Sequence, residues 1–190
     1  MVVSVEPAAG AVQSLRNRFA NTPSVTIVRK GVGSSVGFAE FYEFSETDCY
    51  NTFSKKWVDT LKEPTGGNSV AKAVNNVSRV PITTIDQLML EFGVPDYVKI
   101  DVEGFELEVL KGLTRSLPLV SFECNLPEYL TETLECIALL RQRSNISEFN
   151  FCISEPADRF YSDVWLSSEE IGALVQNVTF RYMEIYCRTI

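Results

Sequence analysis

VKIDVEGFELEVLKG, from Val98 to Gly112, is the stretch from which the fold is read. Its opening positions run into an acidic pair, Asp101 and Glu103, followed by Gly104. Apolar residues ahead of a carboxylate and a glycine predict a buried parallel strand that ends at a turn. Phe105, Leu107, Leu110 and Leu113 then give an approximate helical stripe, with Gly112 placed as its C-terminal breaker. A strand that delivers carboxylates at its carboxyl end, directly before a helix, sits where open α/β sheets put their chemistry.

Outward from that stretch the same alternation continues. Upstream, Thr84 is placed to cap a helix from Ile85 to Phe92, after the β-like run that begins at Val80. Downstream, Leu119 to Glu123 reads as another buried strand ending on a carboxylate. Leu130, Leu134, Ile137, Ala138 and Arg141 mark an amphipathic helix. Two alternating runs, Phe149-Phe151-Ile153 and Met183-Ile185-Cys187, close the chain around a helix whose start is signalled by Ser167 and Glu170. At the other end, Val2 to Val5 reads as a strand, Ala8 to Phe19 as a helix and Val25 to Val28 as a strand. Gly31 to Ser35 reads as a turn, and Phe38 to Phe44 as an edge strand in antiparallel pairing. Residues 45–78 lack a clear period and read as an irregular insertion, solvated or functional. Strands alternating with helices predict one α/β domain over residues 1–190, with a mostly parallel sheet and a C-terminal antiparallel strand pair.

Composition narrows the chemistry. The formal net charge of -8 argues against a nucleic-acid backbone as the main partner. No apolar run approaches a membrane span and no secretory leader pattern is present, which predicts a soluble, cytoplasmic protein. Five cysteines with no CxxC pair argue against a disulfide framework or a thiolate zinc site. Histidine is absent from the 190 residues, so histidine-based nucleophile pairs, HExxH metal sites and a histidine base are excluded. Proton transfer must use a carboxylate, lysine, tyrosine or water.

The candidate site residues are therefore acidic. Asp101 and Glu103, with Glu106 nearby, could bind a ligand, hold a hard cation or take a proton from a hydroxyl. As a plain acidic first turn of a helix each would contribute only ~0.3–1 kcal/mol, and packing them together adds repulsion. Lys99 is their counter-charge or faces solvent. Glu123 and Asn125 end the neighbouring strand and either complete the same cleft, for substrate or metal, or cap the strand. Glu6 follows the first strand and precedes a helix. Such a carboxylate can accept both hydrogens of a ribose diol, or merely favour the helix N-terminus.

At these residues the chain resembles the FkbM-type methyltransferases, S-adenosylmethionine-dependent enzymes of the Rossmann-like class known mostly for O-methylation. The segment VPITTIDQLMLEFGVPDYVKIDVEGFELEVLKG, from Val80 to Gly112, carries the family's helix start, its K-I-D-V-E-G-x-E core and V-L-K-G. VEPAAGAVQSLRNRF and GVGSSVGFAEFYEF extend the resemblance, which runs from about Val2 to Asn125. It implies that Glu6 holds the ribose hydroxyls of S-adenosylmethionine and that Asp101 and Glu103 line the active-site end of the sheet, where they are the expected catalytic residues, Asp101 first. The acceptor it implies is a hydroxyl on a small molecule or glycan. Such a fold starts with a strand and a glycine-rich turn, and no counterpart precedes Val2. The expectation is therefore an N-terminally incomplete sheet missing its first strand. The alternative is a truncated or degenerate member that serves as a non-catalytic binding module. A third reading adds a divalent metal held by Asp101, Glu123 and Asn125.

Overall fold

A computed structural model describes residues 1–62, 72–144, 146–153 and 159–190. The order is β1 (Val2–Val5), α1 (Ala9–Arg18), β2 (Val25–Val28), β3 (Gly31–Val32), β4 (Gly37–Glu43), α2 (Lys55–Lys62) and β5 (Asn76–Thr83). Then come α3 (Ile85–Phe92), β6 (Val98–Ile100), α4 (Glu106–Lys111), β7 (Leu119–Asn125), α5 (Leu130–Arg143), β8 (Ser147–Cys152), α6 (Ser168–Asn177) and β9 (Tyr182–Thr189).

The strands form three sheets, in the orders β1-β2, β3-β5-β4 and β6-β7-β9-β8. β1–β2, β3–β5 and β6–β7 pair parallel, whereas β4–β5, β7–β9 and β8–β9 pair antiparallel. The expected mostly parallel sheet is thus corrected to a mixed one. The reason is local: β5 takes its long ladder with β4, and β9 inserts between β7 and β8. Pro81 lies inside β5, where a missing N–H would normally be excluded. It is tolerated because β3 starts opposite Ile82, which leaves one flank of Pro81 outside that ladder.

Helix ends follow side-chain chemistry. Thr84 Oγ1 accepts from Gln87 N–H at 3.1 Å, satisfying one of the four orphan donors of α3. Ser167 and Glu170 form a full capping box on α6. Gly112 caps α4 at an ordinary φ of -82, so no left-handed turn requires it. A Cβ there would collide with the Gly33 carbonyl, and close approach of the two backbones is what demands glycine.

The main core lies on the four-stranded sheet under α3 to α6, with Phe122, Phe149, Phe151, Met183 and Ile185 all without exposure. Full burial of such side chains contributes about 1.5–3 kcal/mol each. A second cluster, with Phe41, Phe53, Val80 and Ile82, belongs to the three-stranded sheet. Phe105 packs against both, its ring 5.5 Å from that of Phe53. The turn between β6 and α4 therefore sits at the junction of the two cores.

The insertion expected over residues 45–78 contains α2, which buries Trp57, Val58 and Leu61 against Phe44 and Tyr129. The loop reading of Pro64 to Ser69 falls outside the described residues. Among those described, no helix is long and apolar enough to cross a membrane.

Candidate active site

The parallel pairing of β6 and β7 sets Ile100 opposite Phe122, so the next residues, Asp101 just past β6 and Glu123 still within β7, lie side by side. Glu103 lies on the following turn. One carboxylate oxygen from each of Asp101, Glu103 and Glu123 falls within 4.8 Å of the others. Glu123 is buried, with 7% of its side chain exposed, while Asp101 is exposed. Tyr182 donates its hydroxyl to Glu123 Oε1 at 3.1 Å from β9.

Such crowding of negative charge is unfavourable unless it is offset. Lys99 offsets it, with Nζ 3.3 Å from Asp101 Oδ2 and 3.4 Å from Glu123 Oε1. Partial burial alone would lower the lysine pKa, but the fields of Asp101, Glu184 and Glu123 outweigh that and raise it above the ordinary value. Lys99 is therefore the counter-charge of the cluster.

The turn has a distinctive backbone. Glu103 and Gly104 both lie in the left-handed region, at φ 53 and φ 82. For a glutamate this costs on the order of 1 kcal/mol. A Cβ on Gly104 would also collide with the Tyr129 ring. Glu106 holds the turn from beneath, its Oε1 accepting from Val102 N–H at 3.3 Å and Gly104 N–H at 3.2 Å. Complete burial pushes its carboxyl up to about 7, against the opposing pull of those backbone bonds. Grouped with Asp101 and Glu103 by sequence, Glu106 is instead a buried support and does not line the cleft.

Glu6 lies across the cleft, at the end of β1. Its Oε1 accepts from Ala8 N–H at 2.7 Å, and burial raises its pKa despite that bond. No donor among the described residues is bonded to its Oε2.

All five expected site residues, Glu6, Asp101, Glu103, Glu123 and Asn125, line one cleft of about 830 Å³. Phe41, Phe53 and Trp57 supply an apolar wall. Carboxylates dominate the described charge: Glu6, Asp48, Asp101, Glu103, Glu123 and Glu128 face Lys30 and Arg181, and Arg181 is itself paired with Glu128 at 2.6 Å. Such a cleft favours a cationic or neutral, hydroxyl-bearing guest over an anion. The donor set is all oxygen and suits a hard cation, although the Lys99 ammonium already lies against two of the three carboxylates.

Sequence reasoning missed two contributors. Tyr182 stands opposite Asn125 in the β7–β9 register, a pairing that only the strand order reveals. Thr52 lies in the stretch without a period, and its Oγ1 donates to Glu103 O at 2.7 Å. No local signal marks either residue.

A family model described as the methyltransferase FkbM domain matches residues 1–150. No curated protein matches the chain, and no solved structure does. The matched region contains β1 to β7, both sides of the cleft and all five site residues. The chain belongs to the FkbM methyltransferase domain family.

Proposed function

We propose that this chain is an S-adenosylmethionine-dependent methyltransferase acting on a hydroxyl of a small molecule or glycan. The observation that carries this reading is the joint placement of Glu6 and the Asp101–Glu103–Glu123 cluster on one cleft. Glu6 Oε2, with no described donor, is suited to accept from a ribose diol. The excess of carboxylates complements a sulfonium charge. When bound, S-adenosylmethionine supplies an electrophilic methyl group on sulfur. Asp101, exposed at the strand end, is the group we assign to receive the acceptor's hydroxyl proton, with Lys99 holding it in place. Glu103 and Asn125 orient the acceptor, and the Phe41–Phe53–Trp57 wall limits water. Within this reading the β1-β2 and β6-β7-β9-β8 sheets are sections of one Rossmann-like layer, because the carboxyl ends of β1, β6 and β7 meet at one cleft. Five cysteines, four of them buried, suit a reducing, cytoplasmic setting.

The test is calorimetric titration with S-adenosylmethionine, followed by measurement of S-adenosylhomocysteine released with a panel of hydroxylated small molecules and saccharides. Saturable binding and acceptor-dependent release support the proposal; no binding sinks it.

A non-catalytic module is the second reading, favoured by the structural partners that Glu6 and Asp101 already have in Ala8 N–H and Lys99. It requires a stable fold with no affinity for S-adenosylmethionine. Metal assistance, expected through Asp101, Glu123 and Asn125, is the remaining variant of the enzyme reading, with Glu103 beside Asp101 and Glu123 as a further oxygen donor. Turnover that survives a strong chelator eliminates it.

A further inference from the structure

We propose that Thr52 is a positioning residue for the carboxylate end of the cleft, forming with Glu106 a two-sided clamp on the Val102–Gly104 turn. The inference rests on the methyltransferase reading only for the use made of Asp101 and Glu103. The clamp itself is a matter of geometry.

Thr52 is 1% exposed, and a buried hydroxyl must be satisfied. Its Oγ1 donates to Glu103 O at 2.7 Å, with Val102 O more distant at 3.4 Å, and accepts from Ser54 N–H at 2.8 Å. Its backbone is fixed independently: Tyr42 N–H donates to Thr52 O at 2.8 Å and Thr52 N–H to Tyr42 O at 3.1 Å. Thr52 is thus tied by its main chain to β4 of one sheet and by its side chain to the turn that follows β6 of another. Glu106 takes the amides of Val102 and Gly104 from the opposite side. Carbonyls held from one flank and amides from the other leave the turn little freedom. The residue between those amides is Glu103, in the left-handed backbone that its own side chain disfavours.

Ser54 and Tyr129 extend the brace. Ser54 Oγ and Tyr129 Oη share a hydrogen bond of 2.9 Å, and the Tyr129 ring fills the space beside Gly104. Ring contact between Phe53 and Phe105 closes the same junction from its apolar side. The segment around Thr52 therefore does more than cover the cleft: it sets the direction in which Glu103 points.

The test is native-state amide hydrogen exchange, resolved by NMR, on the full chain carrying Thr52→Val or Thr52→Ser. Valine keeps the shape and removes the donor; serine keeps the donor. The clamp predicts that Thr52→Val speeds exchange at Val102 and Gly104 by about five- to tenfold, leaves Phe149 in β8 unchanged, and is rescued by Thr52→Ser. Unchanged exchange at Val102 and Gly104 overturns the proposal. So does an equal acceleration at Phe149, which would mean that Thr52 serves global stability alone. Neither cofactor nor acceptor is needed, so titration of the wild type with S-adenosylmethionine reports separately on the methyltransferase reading.

Discussion

Replacing Glu106 by glutamine removes a buried charge while keeping the oxygen that the turn uses. In the folded chain the Glu106 carboxyl is pushed from 4.5 to about 7, because burial penalises its charged form more than the Val102 and Gly104 amides favour it. A displacement of that size corresponds to ~3 kcal/mol. Its folded pKa lies above its unfolded one, so between those values the folded state binds more protons. The contribution is therefore full below about pH 4.5, is lost as pH rises towards 7, and stays lost above it. Glutamine abolishes this dependence. It also replaces a carboxylate oxygen by an amide, and a buried N–H left unsatisfied costs about 1–3 kcal/mol, a cost that does not vary with pH. Urea titrations followed by circular dichroism, on both proteins from pH 4.5 to 8, isolate the difference. The stability of Glu106→Gln relative to wild type should rise by ~3 kcal/mol across that range. Parallel pH profiles would refute the reasoning, since every other titrating group is common to the two proteins.

Two further substitutions probe the same corner. Gly104→Ala places a Cβ against Tyr129 at a left-handed φ, and should destabilise by about 2–4 kcal/mol in urea titration. A loss below 1 kcal/mol would mean that the turn relaxes freely. Lys99→Met removes the ammonium between Asp101 and Glu123, so its destabilisation should be greater at low than at high ionic strength, where the repulsion within the cluster is screened. An equal loss at both salt concentrations would assign the effect to packing of the lysine stem.

Much of this was legible in the sequence where one signal acted alone. Thr84 before an apolar helical stripe, and Ser167 with Glu170, name their helices because capping is local chemistry. The alternation in β8 and β9 survives because one face of each is buried in the main core. Helix α2 was missed although Trp57, Val58 and Leu61 lie on one face, since turn-forming residues on both sides obscured the period. β5 was read only from Val80, because Asn76, Ser78 and Arg79 are poor strand formers, held by pairing to β4. With Glu6 added by the family resemblance, strand-end position grouped Asp101, Glu103, Glu123 and Asn125 on what is one cleft. It did not separate Glu106, whose carboxylate points under the turn, or reveal Thr52 and Tyr182, which reach the site across distant pairings. Roles that depend on the direction of a side chain need the fold; roles that depend on topology do not.

The central claim is that the cleft between Glu6 and the Asp101–Glu103–Glu123 cluster takes S-adenosylmethionine. The most direct measurement is isothermal titration of the full chain and of Glu6→Ala with S-adenosylmethionine. The account predicts one saturable site in the wild type, weakened at least about tenfold by Glu6→Ala, as expected on losing a charged acceptor. No saturable heat, or equal affinity in the two proteins, would contradict it.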